Sequence, residues 1–548
     1  MPRLLRFAAS AALLVSVATL LSRLVGFVRW IVFSPTVGAG AVGTAYQSAN
    51  QVPNILFEVI AGGALAGAVV PLLAGPLSRA DRGTASRITS ALLTWSVTLT
   101  LPLAVVIAVF SEPIASLLLS GEEQISYAAG FLLVFAPQLV LYGIGGVLTG
   151  VLQAHRKFLW PAFMPLVSSL IVIGVYVAYG RLRGPGVEPD SPAALALLAW
   201  GTTAGVAALA LPLALPTART GLRVRPTWRF PAGVGPRAVR LAAAGMTVLL
   251  AQQVATLMIM VVSNHVGGEG VFVVFSYIQA VYLLPYAVLA IPVATIAFPR
   301  LSELASAARS MAPASPGQST GSEAAASAEV DAMIARTSRL VIALGLAGAA
   351  LLAAAATPLG TFFSGLDAAR DDVRTLFPAL GDTVRIIAWA VPGWCFVAWG
   401  TRVFYALERS RTAALTTAVG WGSVALGVVV GIPLVAADPA PRTLMLLGAA
   451  HVLGMTIAGL SLIAGIVRNR GRASVAGLPR TVVTAAIGAG LGALAGTVAA
   501  HGLGGLVGES PVGSVIAGVA GGFVAIVVVV GLVAAADRGT LAHVRTLR

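Results

Sequence analysis

Apolar residues along this chain do not alternate with polar ones. They run on in blocks of twenty or more, separated by short polar connections rich in arginine. Crossing about 30 Å of hydrocarbon takes roughly 20 helical residues. Blocks of that length fall near 8–33, 43–75, 88–110, 126–153, 159–180, 192–215 and 239–264, then near 270–298, 338–363, 384–407, 412–436, 443–467, 481–505 and 513–536. The pattern predicts an all-α polytopic membrane protein with about 14 transmembrane helices. The first block is too long for the core of a cleavable signal peptide, and Arg23 and Arg29 interrupt it.

Composition sharpens this picture. Of 548 residues, 58% are hydrophobic and only 10% charged, against about 25% charged in soluble proteins. Too few charges remain to coat soluble domains of this size, which excludes a soluble enzyme or a nucleic-acid-binding module. The net charge of +15 is explained by placement. With a cytoplasmic N-terminus, 26 of the 35 basic residues fall in cytoplasmic segments and six in outer loops, whereas twelve of the 20 acids fall outside. Basic residues retained on the cytoplasmic side set orientation. Both termini are therefore expected in the cytoplasm, with the chain in a bacterial plasma (inner) membrane. The basic excess also suits an anionic inner leaflet, so membrane lipids are expected partners and nucleic acid is not. Cys395 is the single cysteine; no metal site and no cofactor is expected.

A weak internal repeat organises the spans. Pro137 with Leu152-Gln153 and Pro392 with Leu407-Glu408 are offset by 255 residues, and Val70-Pro71-Leu72-Leu73 resembles Phe298-Pro299-Arg300-Leu301 at an offset of 228. Parallel repeats of this kind build transporters from two halves. The expected division is a six-helix lobe over 1–237, a second over 238–475, and two additional helices with a short tail over 476–548. Ser306–Ala328, rich in Ala and Ser, reads as a flexible cytoplasmic linker. The outer loops are short and no Walker A sequence occurs. A membrane enzyme such as a polyprenyl glycosyltransferase would need surface carboxylates and a loop domain, so a transporter is expected rather than an enzyme.

Charges at bilayer depth cost about 2.5–3.5 kcal/mol on insertion scales and usually face a cavity or a partner. Arg23 lies deep in the first block. Arg29 follows about 9 Å along the helix and about 120° round it, with Gly26 between them offering room for another backbone or a kink. Guanidinium groups bind phosphate oxygens in a planar, bidentate way, which suggests an anionic headgroup site. An ion pair with Glu58, or snorkelling of Arg29 to the interface, is the alternative. Glu58 reads as an ion or proton carrier or as an arginine's counter-ion. Thr44, Tyr46, Gln47, Ser48, Asn50, Gln51 and Asn54 make the start of the second block unusually polar; they line a wet cavity or form a loop dipping into the interface. Arg402 is expected to snorkel. Gln252, Gln253 and His451 are expected to be satisfied between helices.

At these residues the chain resembles the MurJ/MviN lipid II flippases of the multidrug/oligosaccharidyl-lipid/polysaccharide exporter superfamily. The resemblance rests on Ser22-Arg23-Leu24-Val25-Gly26-Phe27-Val28-Arg29, Gly38-Ala39-Gly40 and Asn50-Gln51-Val52-Pro53-Asn54-Ile55-Leu56. It extends to Val70-Pro71-Leu72 and to Leu284-Pro285 with Phe298-Pro299-Arg300-Leu301-Ser302. It implies two six-helix lobes around a central cavity, with the last two helices forming a groove for a polyprenyl tail. The implied cargo is undecaprenyl-pyrophosphate carrying the peptidoglycan disaccharide-pentapeptide, moved outward by alternating access driven by membrane potential or an ion gradient. Arg23 and Arg29 match the family's first-span arginines, which meet the pyrophosphate, and the candidate substrate-binding set is Arg23, Arg29, Asn50, Asn54 and Glu58. Cell-wall synthesis proteins are implied partners. Many members carry a further arginine where Phe57-Glu58 stands, and an Asp-Arg where Gln279-Ala280 stands. A divergent paralogue exporting another polyprenyl-linked glycan, or a cation-coupled drug exporter of the same superfamily, is therefore the alternative.

The orientation is testable by cysteine labelling after replacement of Cys395. A cysteine beside Glu122 should react with an impermeant reagent on intact cells, and one in the Arg219–Arg240 loop should not. External labelling of that loop would invert the topology.

Overall fold

The computed structural model describes residues 2–59, 66–183, 191–311, 321–367, 376–508 and 510–537, and no strand occurs among them. Two compact units divide the chain, Met1–Val273 and Val274–Arg548. The first carries α1 (Pro2–Thr36), α2 (Ala41–Phe57), α3 (Ala66–Ser78), α4 (Arg82–Val109) and α5 (Ser111–Leu118). It continues with α6 (Glu122–Phe135), α7 (Gln138–Ala154), α8 (Leu159–Arg183), α9 (Pro192–Ala210), α10 (Ala214–Ala218) and α11 (Val234–Val262). α12 (Val271–Pro285) begins at the boundary, and the second unit goes on through α13 (Ile291–Ser310), α14 (Gly321–Leu366), α15 (Leu376–Ile387) and α16 (Val391–Ala406). It ends with α17 (Ser410–Val430), α18 (Pro439–Arg470), α19 (Leu478–Val507) and α20 (Pro511–Ala536).

Among the described residues eleven helices are long and apolar enough to cross a membrane, or twelve when α6 and α7, bent by 42°, count as one span. The other two expected blocks, 8–33 and 43–75, coincide with α1 and with α2 and α3; residues 60–65 lie outside the described set. Both described ends of the expected linker are helical, while residues 312–320 lie outside the described set. α13 continues to Ser310, and α14 starts at Gly321 and runs 46 residues. Arg470 anchors that early turn of α14, its Nε 2.8 Å from Asp331 Oδ1 and its Nη2 2.9 Å from the Ser327 carbonyl.

α14 is the axis of the second unit. Its most apolar window is 83% buried, and it packs on α13, α15, α16, α19 and α20. Small residues allow this closeness: an added Cβ at Gly345 would meet Pro392 Cα at 2.7 Å. α19 and α20 touch backbone to backbone, where an added Cβ on Gly496 or Gly521 would strike the other's carbonyl oxygen. In hydrocarbon, where apolar side chains gain nothing by leaving solvent, such small-residue contacts hold helices together.

Prolines mark the breaks. A helical proline lacks an N–H and crowds the preceding turn. Pro137 stands at the α6–α7 bend, Pro285 precedes a widened π turn over Tyr286–Ala290, and Pro392 follows a tightened 3-10 turn at Ala388–Ala390. The helix exits named by the repeat share one cap. Arg156 (φ +58°) and Glu408 (φ +60°) are left-handed, and the next amide reaches back to close the helix: Lys157 N–H to the Leu152 carbonyl, and Arg409 N–H to the Phe404 carbonyl, both at 2.8 Å. The structural equivalence at these exits is thus 252 residues, three fewer than the offset expected from Leu152-Gln153 and Leu407-Glu408. The same cap ends α3, with Ala80 at φ +56° and Asp81 N–H on the Pro76 carbonyl at 2.9 Å.

A left-handed conformation costs an L-residue about 1–2 kcal/mol that glycine avoids. Ala80 is exposed, so Ala80→Gly removes strain and little else. The variant should raise the thermal unfolding midpoint of the purified protein by an amount corresponding to about 1 kcal/mol. A lowered midpoint would contradict the strained cap.

Candidate functional site

The α1–α2 turn depends on glycine. Gly38 is left-handed at φ +72°, and its carbonyl occupies the space a Cβ on Gly43 would need. Beyond the turn, Tyr46 ties α2 into the unit. Its hydroxyl lies 3.0 Å from that of Tyr176 and 2.8 Å from Thr202 Oγ1, and its ring meets Phe33, Phe131 and Phe135. Thr44 Oγ1 accepts the Gly270 N–H at 2.9 Å. Ser48 Oγ accepts from Asn264 Nδ2 at 2.9 Å, and the same amide donates to the Leu118 carbonyl at 3.0 Å. Thr44, Tyr46, Gln47 and Ser48 are all buried. The first half of the polar run therefore lines no wet cavity and forms no interfacial loop. It holds α2 to α8, α9, the end of α5 and the π turn Ser263–Gly267 that finishes α11.

Burial eases from Asn50 onward. Asn50, Asn54 and Glu58 follow at four-residue spacing and so share one face of the helix. The two asparagines are half-buried and Glu58 is exposed. Asn54 Nδ2 donates to the Asn50 carbonyl at 2.9 Å, which commits one of its amide protons to the helix itself.

On α1, Ser22 Oγ reaches the Ala162 carbonyl at 3.1 Å and fixes the rotation of the helix against α8. Arg23, one residue on, is exposed. Arg29 is half-buried, its guanidinium carbon 5.7 Å from the centroid of the Trp30 ring, a distance at which the π face attracts a cation. Gly26 departs from expectation: among the described residues an added Cβ there would meet nothing within 4 Å, so the helix surface between the two arginines is uncovered at that point.

Sequence reasoning missed one neighbour of this face, Tyr142 of α7, whose ring lies 4.7 Å from that of Phe57 beside Glu58. A lone tyrosine in a glycine-rich apolar span carries little signal by itself. Among the described residues no ion pair links Arg23 or Arg29 to Glu58. Arg402 does not snorkel beyond its helix; its Nη1 turns back to the Ala398 carbonyl at 2.7 Å. His451 is satisfied within its own helix, Nδ1 lying 2.9 Å from the Leu447 carbonyl, and sits among Phe275, Tyr282 and Trp421 rather than bonding across helices.

Guanidinium groups on α1 and amides on α2 are donors suited to the oxygens of an anionic headgroup. Long apolar helices broken at prolines define a polytopic membrane protein. A family model described as "Lipid II flippase MurJ" matches residues 33–501, and the chain belongs to that family. The match begins after Arg23 and Arg29, so membership rests on other residues.

Curated relatives include a "Probable lipid II flippase MurJ" from Synechocystis sp., 31% identical over 41% of this chain and 43% of its own length. A "Lipid II flippase MurJ" from Burkholderia cenocepacia is 27% identical over 54% of this chain and 57% of its own. The chain thus spans about half the length of the curated relatives it matches. Among solved structures, "Lipid II flippase MurJ, inward closed conformation" covers 96% of this chain and 100% of its own with a TM-score of 0.69 at 17% identity. An inward-facing multidrug resistance MATE transporter of the MOP superfamily covers 83% and 94% with a TM-score of 0.61 at 14% identity. These likenesses establish the shared fold.

The absence of an ion pair has a testable result. If Glu58 does not neutralise Arg23, Glu58→Gln should leave the defect of Arg23→Ala unrepaired at equal protein levels in a complementation assay. Restored growth in the double mutant would mean that the two groups pair in the working protein.

Proposed function

We propose that the chain moves lipid II across a bacterial plasma membrane, binding its pyrophosphate through Arg23 and Arg29. The observation that carries the reading is the uncovered helix surface between these arginines at Gly26, with no carboxylate among the described residues paired to either guanidinium. Family membership supplies the transport class, and the relatives' names supply the cargo. Asn50 and Asn54 offer amides to the headgroup from α2. Glu58, beside Tyr142, serves as the charge that responds to the coupling ion or potential. The transporter divides into a six-helix lobe over 1–237, a second over 238–475, and two helices over 476–548 that supply the groove for the polyprenyl tail. Both termini are cytoplasmic, and cell-wall synthesis proteins receive the product. The chain performs transport, not covalent chemistry.

Depletion of the protein in its host should accumulate lipid II on the inner leaflet. Accumulation of a different polyprenyl-linked intermediate would transfer the reading to another glycan. Replacing either arginine by alanine removes a charge-assisted contact of about 1.5–3 kcal/mol, a roughly ten- to hundredfold loss of headgroup affinity. Lysine keeps the charge without the planar fork and should rescue only in part. Full activity of both alanine variants would remove the arginines from the site.

A further inference from the structure

The segment after α10 lies along α4 in a manner the transport reading does not require. Gly221, at φ +80°, turns the chain, and Gly233, at φ +76°, leads into α11. Between them the backbone runs extended, and alternate amides dock on one stripe of α4. Arg223 N–H donates to Ser86 Oγ at 3.1 Å, Arg225 N–H to Ser90 Oγ at 3.0 Å and Thr227 N–H to Thr94 Oγ1 at 2.9 Å. Trp228 Nε1 then donates to Thr98 Oγ1 at 2.9 Å, and Trp95 Nε1 returns a bond to the Trp228 carbonyl at 3.0 Å.

The two periods match. Four helical residues rise about 6 Å, and two extended residues advance about 6.6 Å. Hydroxyls at 86, 90 and 94 therefore act as successive rungs for every second amide, and the Thr98 hydroxyl takes the Trp228 indole. Position 226, between two rungs, is proline and has no amide to satisfy. The rail follows about 18 Å of α4 from Ser86 to Thr98.

What the strap displays is basic and aromatic. Arg223, Arg225 and Arg229 are exposed, as are Val224 and Trp228. None of these arginines is in an ion pair among the described residues. Arg82 and Arg87 extend the patch at the start of α4. The acid there, Asp81, is occupied: the Thr84 amide donates to its Oδ1 at 2.9 Å and holds its carboxyl below the usual range. Tryptophan with arginine at the edge of a span is the chemistry of the headgroup layer.

We infer that Leu222–Phe230 is an interfacial strap that binds anionic phospholipid headgroups through Arg223, Arg225 and Arg229, held in place by the hydroxyl rail of α4. The strap recruits anionic lipid around the first unit, separately from any transported molecule. Basic residues near an anionic surface each strengthen attraction by about fivefold at low salt.

The test uses the full chain with Cys395→Ser and Val224→Cys, labelled with bimane and reconstituted in phosphatidylcholine nanodiscs containing phosphatidylglycerol. Bromine is placed on either lipid at equal mole fraction. Brominated phosphatidylglycerol should quench the label several-fold more than brominated phosphatidylcholine, and the Arg223→Gln/Arg225→Gln/Arg229→Gln variant should quench equally with both. Ser90→Ala with Thr94→Val should release the strap and red-shift the bimane emission. Equal quenching in the parent protein, or unchanged preference in the triple variant, overturns the lipid site. Loss of the preference on adding inorganic phosphate would assign the arginines to a free anion instead. An unshifted emission in the rail variant would overturn the rail. Lipid II transport is read separately, so failure of the transport reading leaves these outcomes intact.

Discussion

In hydrocarbon no water is available to satisfy a stray amide or hydroxyl, and each unpaired group costs several kcal/mol. That constraint orders this structure more than hydrophobicity does, since every helix here is apolar. Several polar groups of the first unit are accordingly bonded to another element. Tyr46 is shared among α2, α8 and α9, Thr44 and Ser48 are used by the residues after α11, and the strap beside α4 finds a hydroxyl for each inward amide. These polar positions tie α2 and α4 to particular neighbours, as small residues do for α14, α19 and α20.

Against this background Arg23 and Arg29 stand out. Thr44, Tyr46 and Ser48 are spent on internal bonds, whereas Arg23 is exposed and the helix surface at Gly26, between it and Arg29, is uncovered among the described residues. A group kept costly in the resting protein is one that a ligand can stabilise, and this contrast separates the pair from Arg402, which folds back onto its own helix.

Spans and breaks are legible in the sequence because hydropathy and proline act locally: block lengths locate helices, and Pro137, Pro285 and Pro392 locate their interruptions. Small-residue packing is less legible, because one glycine looks like another until its neighbour is known; Gly26 faces open space whereas Gly43 faces a carbonyl. The polar run of α2 divides at Asn50 into a buried half and an open half, and only the distant partners Tyr176, Thr202, Asn264 and Gly270 reveal where. Tyr142 and the rail at Ser86, Ser90, Thr94 and Thr98 escaped for the same reason: their meaning lies in residues far away in the chain. The linker expected at 306–328 illustrates the converse, since Ala- and Ser-rich composition alone does not prevent helix where Arg470 anchors it.

The bond between Ser48 and Asn264 joins residues 216 apart. At about 5–20 residues per second of synthesis, α2 emerges from the ribosome roughly 10–45 seconds before its partner exists. Through that interval Ser48 and Thr44 have no native acceptor or donor from the α11 end, so the young helix must shelter against other polar surfaces or remain near the insertion machinery. The same bonds that lock the finished first unit thus make its second helix dependent on timing, and a chain truncated before residue 264 would keep Tyr176 and Thr202 for Tyr46 but leave Ser48 and Thr44 without Asn264 and Gly270.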